Sequence, residues 1–224
     1  MNRIIKSALA AGFAASLMGG TALAADYSAP SIVTVASTWT GLYGGLNGGF
    51  GWGNSYHIDT AGTRSSDFDI SGGLIGATVG YNWQADNIVF GLEADWGFAN
   101  IEGSTTGGCA PGCSTEIQSF GTLRPRIGWA FGNFLPYVTG GLAWGLIESG
   151  QPGFTNSGWE VGWTVGAGVE AKFTPNLSVK AEYLYADLGD GGYTVAIPVA
   201  AKVNDLSIVR VGLNYHVDWF SGGY

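Results

Sequence analysis

The chain has 224 residues, with 39 Gly, 9 Trp, 10 Tyr and 11 Phe but a charged share of only 12%, about half of the roughly 25% usual in soluble globular domains. A hydrophobic content of 46% excludes a disordered chain. A net charge of −8 with nine Lys and Arg excludes the phosphate neutralisation that a nucleic-acid partner requires.

Residues 1–25 read as a secretory signal peptide. Arg3 and Lys6 precede the uncharged run Ser7–Gly20, and Ala22-Leu23-Ala24 is a small-x-small cleavage site. The run is shorter than the roughly 20 apolar residues that span a bilayer, which argues against a retained anchor. Cleavage leaves seven basic against 17 acidic residues, a net charge of −10. Residues 26–38, with Pro30 and several Ser and Ala, read as a flexible periplasmic leader.

From residue 39 the chain alternates with a period of two. The first strand sets Leu42, Leu46, Phe50 and Trp52 against Tyr43, Gly45, Asn47 and Gly49. The second sets Ile75, Ala77, Val79, Tyr81 and Trp83 against Gly76, Thr78, Gly80 and Asn82. In the third, Phe90, Leu92, Ala94, Trp96 and Phe98 oppose Gly91, Glu93, Asp95 and Gly97. In the fourth, Leu123, Pro125, Ile127 and Trp129 oppose Thr122, Arg124, Arg126 and Gly128.

The uncharged stretch Ile127–Ile147 is long enough for a transmembrane helix, but its six glycines and Pro136 are poor helix formers. Its alternation of Val138, Leu142, Trp144 and Leu146 with Thr139, Gly141, Ala143 and Gly145 makes it the end of strand four and all of strand five. The sixth strand opposes Trp159, Val161, Trp163, Val165, Ala167 and Val169 to Glu160, Gly162, Thr164, Gly166, Gly168 and Glu170. The seventh opposes Val179, Ala181, Tyr183 and Tyr185 to Lys180, Glu182 and Leu184, and the eighth Val209, Val211, Leu213 and Tyr215 to Arg210, Gly212, Asn214 and His216.

Links alternate in length as well. Short ones fall near 84–87, 131–133 and 172–176, and long polar ones near 54–67, 100–114, 148–157 and 187–204. The second long link carries Cys109 and Cys113, read as a disulfide in an exported chain. Two thiols without a nearby His fall short of the four ligands of a structural zinc, so no metal is expected. Eight strands, apolar-out alternation, short turns at one end and long loops at the other describe an all-β, antiparallel up-and-down transmembrane barrel over residues 39–217, with a short tail at 218–224. Trp83, Trp96, Trp129, Trp144 and Trp159 lie near strand ends, where interfacial girdles form. A soluble barrel would instead carry Lys, Glu and Ser on its outer parity, and only closure satisfies every backbone group in lipid.

Eight strands enclose an interior that side chains can fill. The inward charges Glu93, Asp95, Arg124, Arg126, Glu160, Glu170, Lys180, Glu182 and Arg210 sit on neighbouring strands and are expected to form a paired network that plugs the lumen. The alternative is a narrow path for small ions, with inward Gly45, Gly49, Gly162, Gly166 and Gly168 leaving room for water.

The ordered segments WTGLYGGLNGGFGWG, GGLIGATVGYNWQ, FGLEADW, TLRPRIGWAF, LPYVTGGLAWG, VGWTVGAGVEAKFTPNLSVKAEYLYADLG and VRVGLNY resemble the porin-like outer-membrane β-barrel family of alphaproteobacteria, whose members are named immunogenic or haemin-binding proteins. The resemblance implies an OmpA-like barrel in the Gram-negative outer membrane, antigenic through its loops, with haemin as the ligand of some relatives. Its lipid, lipopolysaccharide and assembly-machinery partners follow from that location, and eight-stranded closure needs no second copy. The sequence departs from the family at its end. Val217 stands where an aromatic usually closes the last strand, and no peptidoglycan-binding domain follows.

The first functional reading is therefore a non-enzymatic structural and surface protein. The second is a surface ligand binder with no resident cofactor, in which Tyr56 and His57 of the first long loop would meet haemin. The third is an enzyme. Ser55, His57 and one of Asp59, Asp67 or Asp69 supply the residue types of a hydrolase, but closeness in a loop is not a triad, and no catalytic residue is assigned.

Overall fold

The protein's architecture comes from a computed structural model, in which the described residues are 38–59, 65–107, 112–151, 154–188 and 199–217. The signal peptide, almost all of the leader and the tail after Val217 lie outside them. Eight strands follow one another: β1 (Gly41–Asp59), β2 (Phe68–Ala85), β3 (Ile88–Thr105), β4 (Cys113–Trp129), β5 (Phe134–Gln151), β6 (Phe154–Lys172), β7 (Leu177–Asp187) and β8 (Val199–Val217). Each pairs antiparallel with its neighbours, and β1 pairs with β8 from Leu42↔Val217 upward, closing the barrel. The stretch that imitates a membrane helix is the end of β4 and most of β5.

Seven strands are 17–19 residues long and β7 has 11, whereas a tilted strand crosses a bilayer in about 9–11 residues. The surplus lies at the end away from the short turns, and there the alternation inverts. In the lower barrel the large apolar side chains face outward, with Leu46 70% and Ile75 67% exposed. Higher up, Phe68, Ile70, Ile101, Ile117, Ile147, Leu206 and Ile208 turn inward and are buried. Asp69, Glu102, Glu116 and Glu148 take the opposite faces of their strands. Apolar-out is the pattern of a surface bathed in lipid, and apolar-in that of one bathed in water. The switch marks the outer membrane boundary on the chain itself.

Three irregularities accompany the switch, the first a register shift between Phe98 and Ile101 on β3. On β4 the register shifts between Ile117 and Ser119, so that the inward set changes from Phe120 to Ile117. On β8 the shift falls opposite Trp52–Asn54, with Asp205 at φ +61°, and the inward set changes from Leu206 to Val203. A bulge adds one residue to one strand and re-aims those beyond it, and a short Asp side chain tolerates the left-handed backbone this needs.

These extensions correct the loop boundaries read from the sequence. The segment 54–67 is β1 as far as Asp59, and β3 and β4 take most of 100–114. The β5–β6 link shrinks to residues 152–153, and β8 begins at Val199 rather than after residue 204. Apolar-outward alternation fades once a strand leaves the lipid, so a reading built on it ends each strand too soon.

Gly76 and Gly97 face each other across β2 and β3. A Cβ at Gly97 would collide with the Ile75 carbonyl oxygen and the Gly76 Cα, while a Cβ at Gly158 would meet nothing within 4 Å. Gly97→Ala is expected to destabilise the folded barrel by about 1–3 kcal/mol through overpacking, and Gly158→Ala by less than about 0.5 kcal/mol. Urea unfolding of the refolded protein, followed by its heat-modifiable gel band, measures both.

Candidate functional site

The inward faces of the lower strands carry a cluster of four carboxylates and four cations, Glu93, Asp95, Glu170 and Glu182 with Arg124, Arg126, Lys180 and Arg210, and Lys172 is a further buried cation at the turn end. All are buried. Alternation places them. Glu93 and Asp95 are two apart on β3, as are Arg124 and Arg126 on β4, and the register sets Glu93 opposite Arg124 and Gly91 opposite Arg126. Lys180 lies opposite Glu170, and Glu182 opposite Arg210.

Glu93 is the hub. It accepts hydrogen bonds from Arg124 Nη2 (2.8 Å), Lys180 Nζ (2.8 Å), the Tyr43 hydroxyl (2.8 Å) and Arg126 Nη1 (3.4 Å). Asp95 pairs with Arg210 and with Arg124 Nη2 at 3.0 Å, and accepts from Thr122 Oγ1 at 2.8 Å. Glu182 receives Arg210 Nη2 at 2.6 Å, Arg124 Nη1 at 3.1 Å and the Tyr137 hydroxyl at 3.0 Å. Glu170 receives Arg126 Nη1 at 3.0 Å, Ser178 Oγ at 2.5 Å and Asn214 Nδ2 at 2.9 Å. The Arg126 guanidinium also lies over the Tyr43 and Tyr137 rings, at 4.7 and 5.0 Å from their centroids.

Four charges of each sign cancel. Each ion alone would cost several kcal/mol to desolvate, so the group is tolerable only when complete.

Apolar layers lie at both ends of this network. On the outer side are Phe120, Ala143, Leu184 and Ile208, then Ile101, Ile117 and Ile147. On the turn side are Trp39, Val89, Ala130 and Leu135. A cavity of about 10 Å³ beside Asn47, Asp95, Phe120 and Arg210 has room for about one water. The space in front of the inward glycines, which the alternative of a narrow ion path would fill with water, is taken up by protein. A Cβ at Gly49 would meet Arg210, at Gly168 the Tyr137 hydroxyl, and at Gly166 Leu184. Larger neighbours have filled the room those glycines leave.

Glu160 shares the inward parity of β6 but stands ten residues above Glu170, opposite Gly145, about 33 Å along the strand. Tyr56 and His57 lie on β1 rather than in a loop, opposite Lys202 and Ala201. Ser55 is buried with its hydroxyl 3.0 Å from Thr115 Oγ1. That is a place inside the barrel, not at an exposed catalytic rim. The side chains of His57 and Asp59 lie outside the described residues. Cys113 is disulfide-bonded, and Cys109 lies outside the described residues. Among those residues no group of His, Cys, Asp and Glu is arranged to hold a metal ion.

Two groupings escaped the sequence reading. Ser178, His216 and Glu170 meet near the turn end: Ser178 Oγ is 2.9 Å and Glu170 Oε1 3.3 Å from His216 Nε2. A hydrolytic triad needs its carboxylate on the other ring nitrogen. Here both partners meet the same one, and all three residues are buried. The other grouping is a ladder on the outer face of the extension, where Glu102 lies opposite Glu116 and Glu116 opposite Glu148. Like charges directly opposite on a sheet repel. Cross-strand register brings both groupings together, and spacing along the chain carries no sign of either.

Residues 11–216 match the family described as outer membrane protein beta-barrel domain. The 31 kDa outer-membrane immunogenic protein of Brucella melitensis is 34% identical, over 96% of this chain and 99% of its own length. The 22 kDa outer membrane protein of Rhizobium leguminosarum is 30% identical, over 81% of this chain and 79% of its own. Among solved structures, Neisserial surface protein A is similar with a TM-score of 0.49 and 14% identity, across 80% of this chain and 98% of that one.

Neutralising two glutamates should have opposite effects. Glu93→Gln removes the hub's charge and leaves its cations unbalanced, which is expected to cost about 3–5 kcal/mol of stability. Glu116→Gln relieves the outer ladder and is expected to add about 0.2–1 kcal/mol. Equilibrium unfolding in lipid vesicles reads both signs.

Proposed function

The chain belongs to the outer-membrane β-barrel family, and from that premise we propose that it is a non-conducting, non-enzymatic barrel whose work is done by its outer surface. The observation that carries this reading is the filled interior: a neutral network of eight charged side chains between two apolar layers. An ion entering from either side must cross a buried, largely apolar layer, and desolvating it there is costly.

What remains available is the outside. The lower barrel presents lipid with a belt that includes Trp83, Trp129, Phe131, Phe134 and Phe173 near the short turns, so acyl chains and lipopolysaccharide are its immediate partners. Above the membrane, the polar strand extensions and the segments that join them form the part that the cell's surroundings meet. The relatives named immunogenic support an antigenic role for this region. Delivery to the membrane by the outer-membrane assembly machinery follows from the barrel fold. An enzymatic role has no support in the placement of Ser55 or of the Ser178–His216–Glu170 group.

Planar-bilayer recording on the refolded barrel tests this reading. The expected trace stays at the bare-membrane baseline in molar KCl, and reproducible unitary steps would overturn the reading in favour of a narrow channel.

A further inference from the structure

Gly41 opens β1 at φ +142°, a backbone conformation that residues with a Cβ rarely adopt. The chain just ahead of it, Thr38–Thr40, belongs to no strand, yet Trp39 within it is wholly buried. The Trp39 backbone N–H donates to Gln84 Oε1 (2.7 Å) near the end of β2, and its indole N–H donates to the Gly132 carbonyl (3.2 Å) in the β4–β5 turn. Lys172, the last residue of β6, lies 4.7 Å from the indole and donates to the Thr38 carbonyl at 2.6 Å. The His216 ring, near the end of β8, meets the indole edge-on at 5.8 Å. Thr40 Oγ1 accepts from the Gln84 backbone N–H at 2.9 Å.

The indole therefore touches three points around the turn-side mouth of the barrel, and the Trp39 backbone a fourth. Trp39 supplies the largest part of the apolar layer beneath the charged network. None of these contacts closes the sheet, because β1 and β8 already pair from Leu42↔Val217 onward. The contacts hold a plug in a mouth that would otherwise stay open.

We propose that Thr38–Thr40 is a strap and Trp39 a stopper, hinged at Gly41, that shuts the charged chamber off from the periplasm. The inference rests on the sealed-interior reading above. It adds that the periplasmic seal is a separable element, carried by the segment where the leader joins the barrel. The ring supplies apolar bulk, Lys172 on β6 and His216 on β8 grip it, and the turned-in glycine directs it into the lumen.

The test uses a thiol reporter inside the chamber. Thr139 is buried, lies opposite Arg126 on the neighbouring strand and is outside the ionic network. Cys113 is disulfide-bonded, so with the native disulfide kept oxidised, Thr139→Cys provides the reactive thiol. The full mature barrel is refolded and treated with a charged methanethiosulfonate reagent, and folding is checked by the heat-modifiable band.

The expected result is slow labelling in Thr139→Cys alone and at least tenfold faster labelling when Trp39→Ala is added. Trp39→Phe should keep the protection, because a ring still fills the mouth. Gly41→Ala retains the indole but penalises the inward turn, and at least threefold acceleration is expected. That variant keeps the proposal open to refutation should Trp39→Ala fail to fold. Rapid labelling with Trp39 intact would overturn the sealed-interior reading itself. Unchanged slow labelling in a folded Trp39→Ala or Gly41→Ala barrel would overturn the stopper and leave that reading standing.

Discussion

Lipid offers a backbone amide no hydrogen-bond partner, and the rest of this structure follows from that constraint. Strands that cross a membrane must pair on both sides, so the eight of them close on themselves. Closure at eight fixes a lumen about as wide as the side chains that enter it. Whatever points inward must then satisfy itself, with little help from water. Glu93 receiving Arg124, Lys180, Arg126 and Tyr43 is the outcome at one position, and the even balance of charge is the outcome for the whole. Such a network adds little net stability over a well-packed apolar filling. What it adds here is a single arrangement, since each guanidinium is shared between carboxylates on different strands and a slipped register would strand several charges together.

The same chain solves two solvation problems in series. Near the short turns, Leu46 and Ile75 face lipid and the charges face inward. Farther along the same strands, Ile101 and Ile117 face inward and Glu102 and Glu116 face out. The upper part is thus built like a water-soluble barrel set on top of a membrane barrel, and its apolar core is what seals the ionic layer from outside. The bulges on β4 and β8 sit where one regime gives way to the other, and re-aim the residues beyond them.

The lower barrel was legible in the sequence because its signal is strong and local. A period of two, with Trp and Leu on one parity and Gly and Thr on the other, shows which residues face lipid. Neighbouring strands with opposite inward charges foretell their pairing. Parity gives a face and not a height, so Glu160 shares the inward face of β6 and yet stands ten residues from Glu170. The inward glycines leave a narrow ion path open as an alternative, because a sequence does not show which large side chain across the lumen fills the space. The outer apolar layer went unseen for a related reason. It uses the parity that is polar lower down, so Ile101 falls in the link read at 100–114 and Ile117 precedes the alternation that marks strand four. Trp39 lies ahead of any alternating pattern, and nothing near it in the chain indicates that Lys172, Gly132 and His216 meet around it.

The central claim is that the ionic layer is closed to bulk water, and the protons of its guanidinium groups report on that directly. With arginine labelled in nitrogen-15 and the barrel refolded in detergent micelles, transfer to heavy water starts the exchange of the Arg124 and Arg210 Nε protons. The account predicts that these signals persist for hours, because each Nε–H is held inside, by Thr122 on Arg124 and by Glu182 on Arg210, and no solvent path reaches it. Loss of both signals within the dead time of the experiment, as for a guanidinium in water, would contradict it.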